Sequence, residues 1–100
     1  MGWVNDARKA LAEGREVQVR PLGGSMRGRI ESGQLVTLAP VGTTDIQVDD
    51  VVLVAWKEGF LLHLVREVDT GRLLIGNNVG KINGWVSASA VLGRVIAVED

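Results

Sequence analysis

The sequence contains no cysteine, no tyrosine and only one histidine. Without thiols it can form no disulfide, no thiolate metal site and no cysteine nucleophile. One histidine is too few for a structural zinc site, which needs several Cys or His ligands. Neither a metal nor a cofactor is therefore expected. An excess of charge is also missing: 11 Lys and Arg stand against 12 Asp and Glu, a formal net charge of -1. Nucleic-acid binding calls for a strongly basic face and a membrane-surface anchor for a polybasic cluster, so neither partner is expected. No apolar run approaches the roughly 20 residues that span a bilayer. Residues 1–14 interleave Asp6, Arg8, Lys9 and Glu13 with apolar residues, unlike the unbroken apolar stretch of a secretory leader. The sequence reads as a soluble, unexported, cytoplasmic chain.

What is present suffices for one domain, 1–100, with one small core: 100 residues, 46% of them hydrophobic. Asn5 is a good helix cap, Asp6 suits the first turn, and Ala7, Ala10 and Leu11 recur at helical spacing. Gly14 is a natural stop, so the pattern predicts a helix at about 5–13. A β-domain follows over about 15–98. Val17 and Val19 alternate with Gln18 and Arg20, the two-residue period of a strand, which Pro21 ends. Further strands are predicted at 34–41, 51–56, 60–68, 73–76 and 91–98. Turns are predicted at Gly42-Thr43-Thr44-Asp45, Glu58-Gly59, Asp69-Thr70-Gly71-Arg72 and Asn83-Gly84. The nearly continuous apolar run Val51–Trp56 suits a strand buried on both faces or one in a curled sheet. The expected fold is mainly β: a curled, barrel-like, mostly antiparallel sheet with one short N-terminal helix. Trp3, Trp56 and Trp85 read as core or interface anchors, with Trp85 half exposed.

Two residues invite a chemical reading. Ser25 follows Gly23 and Gly24, and glycines let backbone approach a substrate and offer amide donors to an oxyanion. A serine nucleophile needs a base to take its proton, and His63, inside the predicted strand at 60–68, is the only histidine. Read singly, Ser25 is an ordinary turn residue and His63 an ordinary core residue. Arg27 and Arg29, flanking the loop, could meet an acidic partner or simply face solvent.

The order of several segments adds to this. Gly24-Ser25-Met26, then Ile30, Ser32-Gly33, Val36 and Pro40, resembles the nucleophile segment of the superfamily that unites signal peptidases with the C-terminal domains of self-cleaving SOS repressors. Val48-Asp49-Asp50-Val51-Val52-Leu53-Val54 resembles its next strand. Leu62-His63-Leu64-Val65-Arg66-Glu67-Val68 resembles the strand carrying the general base, a lysine in some members and a histidine in others. Leu74-Ile75-Gly76-Asn77-Asn78 resembles the Gly-Asp-Asn segment, and Val91-Leu92-Gly93-Arg94-Val95-Ile96 the closing strand. The likeness spans about 15–98 and implies a coiled, mostly antiparallel β-fold. It implies Ser25 as nucleophile, His63 as general base and peptide hydrolysis through an acyl-enzyme. Gly23, Gly24 and Met26 would form the oxyanion and substrate loop, with Asn77 a possible orienter of the histidine. The substrate would be a peptide or protein lying as an extended strand beside the sheet.

The chain also departs from that pattern. Gly28 stands where the family has proline, Gln34 follows Gly33 where it has aspartate, and Leu64 replaces a basic residue. Asn77 replaces the aspartate that assists histidine-type members; aspartate orients an imidazole and stabilises its cation, whereas asparagine only orients it. The reading favoured is a serine endopeptidase with a Ser25/His63 dyad. The alternatives are a catalytically weak or inactive peptide- or protein-binding module, and a homodimeric regulatory domain pairing through terminal strands with an apolar patch near 91–98.

Overall fold

The structure is a computed structural model that describes residues 2–21, 26, 28–41, 45–57 and 59–100. Its helix α1, Gly2–Ala12, starts three residues before the expected Asn5 cap. The extra turn brings in Trp3, which packs with buried Ala7 and Leu11 against the core. The spacing 3, 7, 11 keeps all three on one helical face, and that apolar contact outweighs the capping preference of Asn5. The helix ends as expected. Gly14 adopts φ +80°, its amide donates to Leu11 O at 3.1 Å and that of Arg15 to Ala10 O at 2.9 Å, the paired bonds of a Schellman end.

Seven strands follow: β1 (Val17–Val19), β2 (Leu35–Ala39), β3 (Val51–Trp56), β4 (Gly59–Asp69), β5 (Arg72–Gly76), β6 (Ile82–Ser87) and β7 (Val91–Glu99), with a 3₁₀ turn at Ala88–Ala90 before the last. They form one sheet in the order β1-β2-β7-β3-β4-β5-β6, and every neighbouring pair is antiparallel. The fold is thus mainly β, as the sequence pattern implies. The expected barrel does not close, because β1 and β6 stand at opposite ends of the order. β1 has only three residues, Pro21 follows shortly with no amide to donate, and α1 packs on that end of the sheet against β1, β2 and β7.

The core has two parts, separated by the alternation of side chains along each strand. Val51 and Leu53 of β3 join Leu64 of β4, Met26, Ile30, Val36, Leu38 and the helix residues in the first cluster. Val52 and Val54 join Val65, Leu73, Ile75 and Ile46 in the second. β3 is therefore buried on both faces, which explains its unbroken apolar run. β3 and β4 end on the register pair Trp56↔Gly59, and β4 and β5 on Asp69↔Arg72, with the turn between the latter at 70–71. The readings of Gly42, Thr43, Thr44 and Glu58 as turn residues fall outside the described residues.

The Asn83-Gly84 turn needs correction. Both residues lie inside β6, and the step from Ile75↔Gly84 to Gly76↔Ile82 leaves Asn83 as the extra residue of a bulge. A Cβ on Gly84, whose φ is +147°, would stand 3.0 Å from the Trp56 ring. Glycine there serves close packing, not chain reversal. Reversal takes place earlier, at residues 77–81. The closing strand β7 lies between β2 and β3 rather than at an edge; Val91, Leu92, Val95 and Val98 pack against the clusters, and Ile96 is exposed. No helix among the described residues is long and apolar enough to cross a membrane.

Candidate functional site

His63 sits near the middle of β4, opposite Val52 of β3. It is 8% exposed, between Leu61 and Val65, both of which belong with the second cluster. Its Nδ1 lies 2.6 Å from the carbonyl oxygen of Leu62. A carbonyl only accepts, so Nδ1 carries the proton, and in the neutral ring Nε2 is then the bare nitrogen. That tautomer is the one a general base requires.

Ser25, with Gly23, Gly24 and Arg27, lies outside the described residues. The residues just after it are defined. Met26 is buried in the first cluster, which also contains Leu64, the chain neighbour of His63. From Met26 the chain makes a tight turn: its carbonyl accepts from the amides of Arg29 at 3.0 Å and Ile30 at 2.8 Å. The Gly28 amide donates to Glu31 Oε2 at 2.8 Å, that of Glu31 to Gln34 Oε1 at 2.7 Å, and that of Gly33 to Pro21 O at 3.0 Å. Gly28 adopts φ +97°. Proline, fixed near -65° and without an N–H, fits neither that angle nor the bond to Glu31. Glycine, not proline, is the residue this turn requires at position 28.

This turn docks on both flanks of β4. On one side Arg29 Nε donates to Asn78 Oδ1 at 3.2 Å, and Gly28 lies so near that a Cβ would stand 2.9 Å from Asn78 Nδ2. Asn78 is two residues beyond Gly76, the register partner of Leu64. On the other side Arg29 NH1 donates to Asp49 O at 3.3 Å, and its NH2 is 3.5 Å from the Asp49 carboxylate. Asp49 and Asp50 exchange backbone bonds with Val65, at 2.9 and 2.8 Å. Arg29 thus bridges two segments tied to β4 within two residues of His63. Its expected role as a solvent-facing or partner-reading arginine missed these contacts.

Asn77 is 7% exposed. Its Oδ1 accepts from the amides of Val79 at 3.0 Å and Lys81 at 2.9 Å, and its own amide donates to Lys81 O. The side chain thereby shapes the β5–β6 turn. The carboxylate of Asp49 meets Arg29, and that of Asp69 meets Arg72 at 2.9 Å. Among the described residues no group of three or more His, Asp or Glu could hold a metal ion.

Sequence reasoning quoted Asn78 and Asp49 within longer segments but missed them as the partners of Arg29. The doubled Asn77-Asn78 was the available signal, one asparagine building the turn and the other presented by it. Comparisons with protein families, with curated proteins and with solved structures return no match.

Proposed function

We propose that the chain is a serine endopeptidase of the signal-peptidase and repressor type, with Ser25 as nucleophile and His63 as general base. The observation that supports the reading is that the turn after Ser25 is tied through Arg29 to Asp49 and Asn78, in segments that meet β4 at Val65 and Leu64, close in sequence to a histidine whose Nδ1 is engaged by Leu62 O. In the reaction, Nε2 of His63 takes the Ser25 hydroxyl proton as Oγ attacks a peptide carbonyl. Backbone amides of the Gly23–Met26 loop hold the oxyanion. The imidazolium then protonates the leaving amine, and water, activated by the same base, releases the acyl group. The Leu62 carbonyl orients the ring but has no full negative charge with which to stabilise the imidazolium, so turnover is slow beside a Ser-His-Asp enzyme. The substrate is a peptide in extended form, laid along the sheet.

A peptide-binding module with the same fold is the second reading. What favours it is that Asn77 holds its own turn, while Asp49 and Asp69 have arginine partners. Intact-mass analysis after treatment with a fluorophosphonate separates the two. The wild type gains one adduct, and Ser25→Ala and His63→Ala gain none while keeping the wild-type circular dichroism. A folded wild type that stays unmodified between about pH 6 and 9, across the ordinary titration range of histidine, defeats the peptidase reading in favour of the binding module.

A further inference from the structure

We infer that Arg29 is a positioning residue for the turn that follows Ser25: its guanidinium latches residues 28–34 onto the two segments flanking β4, and the turn built by Asn77 supplies one of the two catches. The catalytic meaning of the latch rests on the Ser25/His63 reading; its geometry does not.

The bonds of Arg29 reach across 49 residues to Asn78 and 20 to Asp49. Three nitrogens are used in different directions: Nε on a side-chain amide, NH1 on a backbone carbonyl and NH2 on a carboxylate. Only the planar guanidinium offers such a fixed fork; lysine presents one compact ammonium at the end of a flexible stem. Both catches are built to receive it. Asp49 holds φ +78°, a left-handed conformation that few residues except Asn, Asp and Gly adopt readily, and Arg29 meets both its carbonyl and its carboxylate. Asn78 stands at the head of the turn that Asn77 closes through two amides, and a side chain at position 28 would collide with it.

The latch differs from a stabilising ion pair. The side chains of Arg29 and Asp49 are 39% and 72% exposed, and pairs that open to water add little to global stability. Removing the latch therefore leaves the unfolding midpoint almost unchanged and releases the turn locally. A misplacement of about 1 Å at a reacting group costs on the order of a hundredfold in rate, so the consequence for Ser25 is large where that for the fold is small.

The test compares wild type, Arg29→Ala, Arg29→Lys, Asn77→Ala and Asn77→Asp by amide hydrogen exchange and by the rate of fluorophosphonate labelling. Exchange at 28–34 rises about tenfold or more in Arg29→Ala and Asn77→Ala with β4 unaffected, as expected for local opening, and labelling slows about a hundredfold. Asn77→Asp keeps an oxygen for both amides and stays near wild type in exchange. Arg29→Lys keeps the charge without the fork and rescues neither readout. Unchanged exchange at 28–34 in Arg29→Ala overturns the latch. Faster exchange with undiminished labelling overturns its positioning role. If the wild type is never labelled, the Ser25/His63 reading fails and the exchange contrast alone decides whether the latch exists.

Discussion

The interior of β3, β4 and β5 and the turn at 28–34 lie side by side, yet different physics holds each. In the interior Val52, Leu53, Val54, Val65, Leu73 and Ile75 have at most 1% of their surface exposed, and burial of each such side chain is worth about 1.5–3 kcal/mol. In the turn only Ile30 is buried. Its backbone is held instead by side chains: Glu31 on the Gly28 amide, Gln34 on the Glu31 amide, Arg20 on Gly33 O at 2.8 Å, and Asp100 on Gln34 Nε2 at 2.8 Å. Apolar burial is cooperative and tolerant of detail, whereas each polar tie depends on one partner at one distance. A scaffold of the first kind carrying a loop of the second can keep its fold while its site is retuned.

The largest effect expected from that contrast is at Leu53, fully buried in the central strand β3. Leu53→Ala removes apolar contacts and leaves a cavity between strands paired on both sides, at a cost of about 3 kcal/mol. In urea the midpoint falls with the slope unchanged. A loss below about 1 kcal/mol, the scale of a surface change, would show that the two-faced burial of β3 is not what holds the sheet.

The next effect is local. At Gly28, φ is +97° and Asn78 occupies the space a Cβ would need. Gly28→Ala costs about 1–2 kcal/mol from the left-handed backbone alone, and the asparagine must also shift. Gly28→Pro loses the hydrogen bond to Glu31 as well and falls further. Hydrogen exchange sharpens the comparison: protection is lost at 28–34 and kept through β4. An alanine variant as stable and as protected as wild type would break it, by showing that the turn can be built without glycine.

The same contrast decides what could be read from the sequence. The run Val51–Trp56 announced a strand buried on both sides, the alternation at 17–19 announced β1, and Gly14 marked the helix end, because each signal acts over a few residues. Asn83-Gly84 misled because the pair is a strong reversal signal that here serves a bulge: the Trp56 ring, far earlier in the chain, demands the glycine. The helix began early because Trp3 found a place on a core that no window around Asn5 contains. At the site, His63 and Ser25 stood out as residue types in a recognisable order. The surroundings of Arg29 were illegible because its two partners lie 49 and 20 residues away, and nothing local in an Arg-Gly-Arg stretch says which arginine is bound. Tertiary polar contacts leave no period in a sequence, whereas burial does.

The smallest effect lies at the far end of β4, where Asp69 and Arg72 close the hairpin to β5. The carboxylate sits 2.9 Å from the guanidinium and accepts from the Thr70 amide at 2.8 Å. Those contacts, the Arg72 hydrogen bond first, hold its pKa below the ordinary 3.8. A carboxyl whose pKa is lowered by folding stabilises the native state above its unfolded pKa, and loses that contribution as pH falls through the folded one. Asp69→Asn keeps an acceptor for the Thr70 amide but puts an amide nitrogen where Oδ2 accepts from Arg72, so it removes the charge and the hydrogen bond to Arg72 together. The variant should therefore melt slightly below wild type at about pH 6, where the carboxyl is ionised, and the two curves should converge as pH drops through the region below 3.8. Added salt near 1 M should shrink the gap at the higher pH, because at that ionic strength charges are screened beyond about 3 Å. A gap that survives acid would place the cost in the hairpin geometry rather than in the ion pair. Arg72, stacked 4.6 Å over the Trp85 ring, would then be held by the aromatic face and not by Asp69.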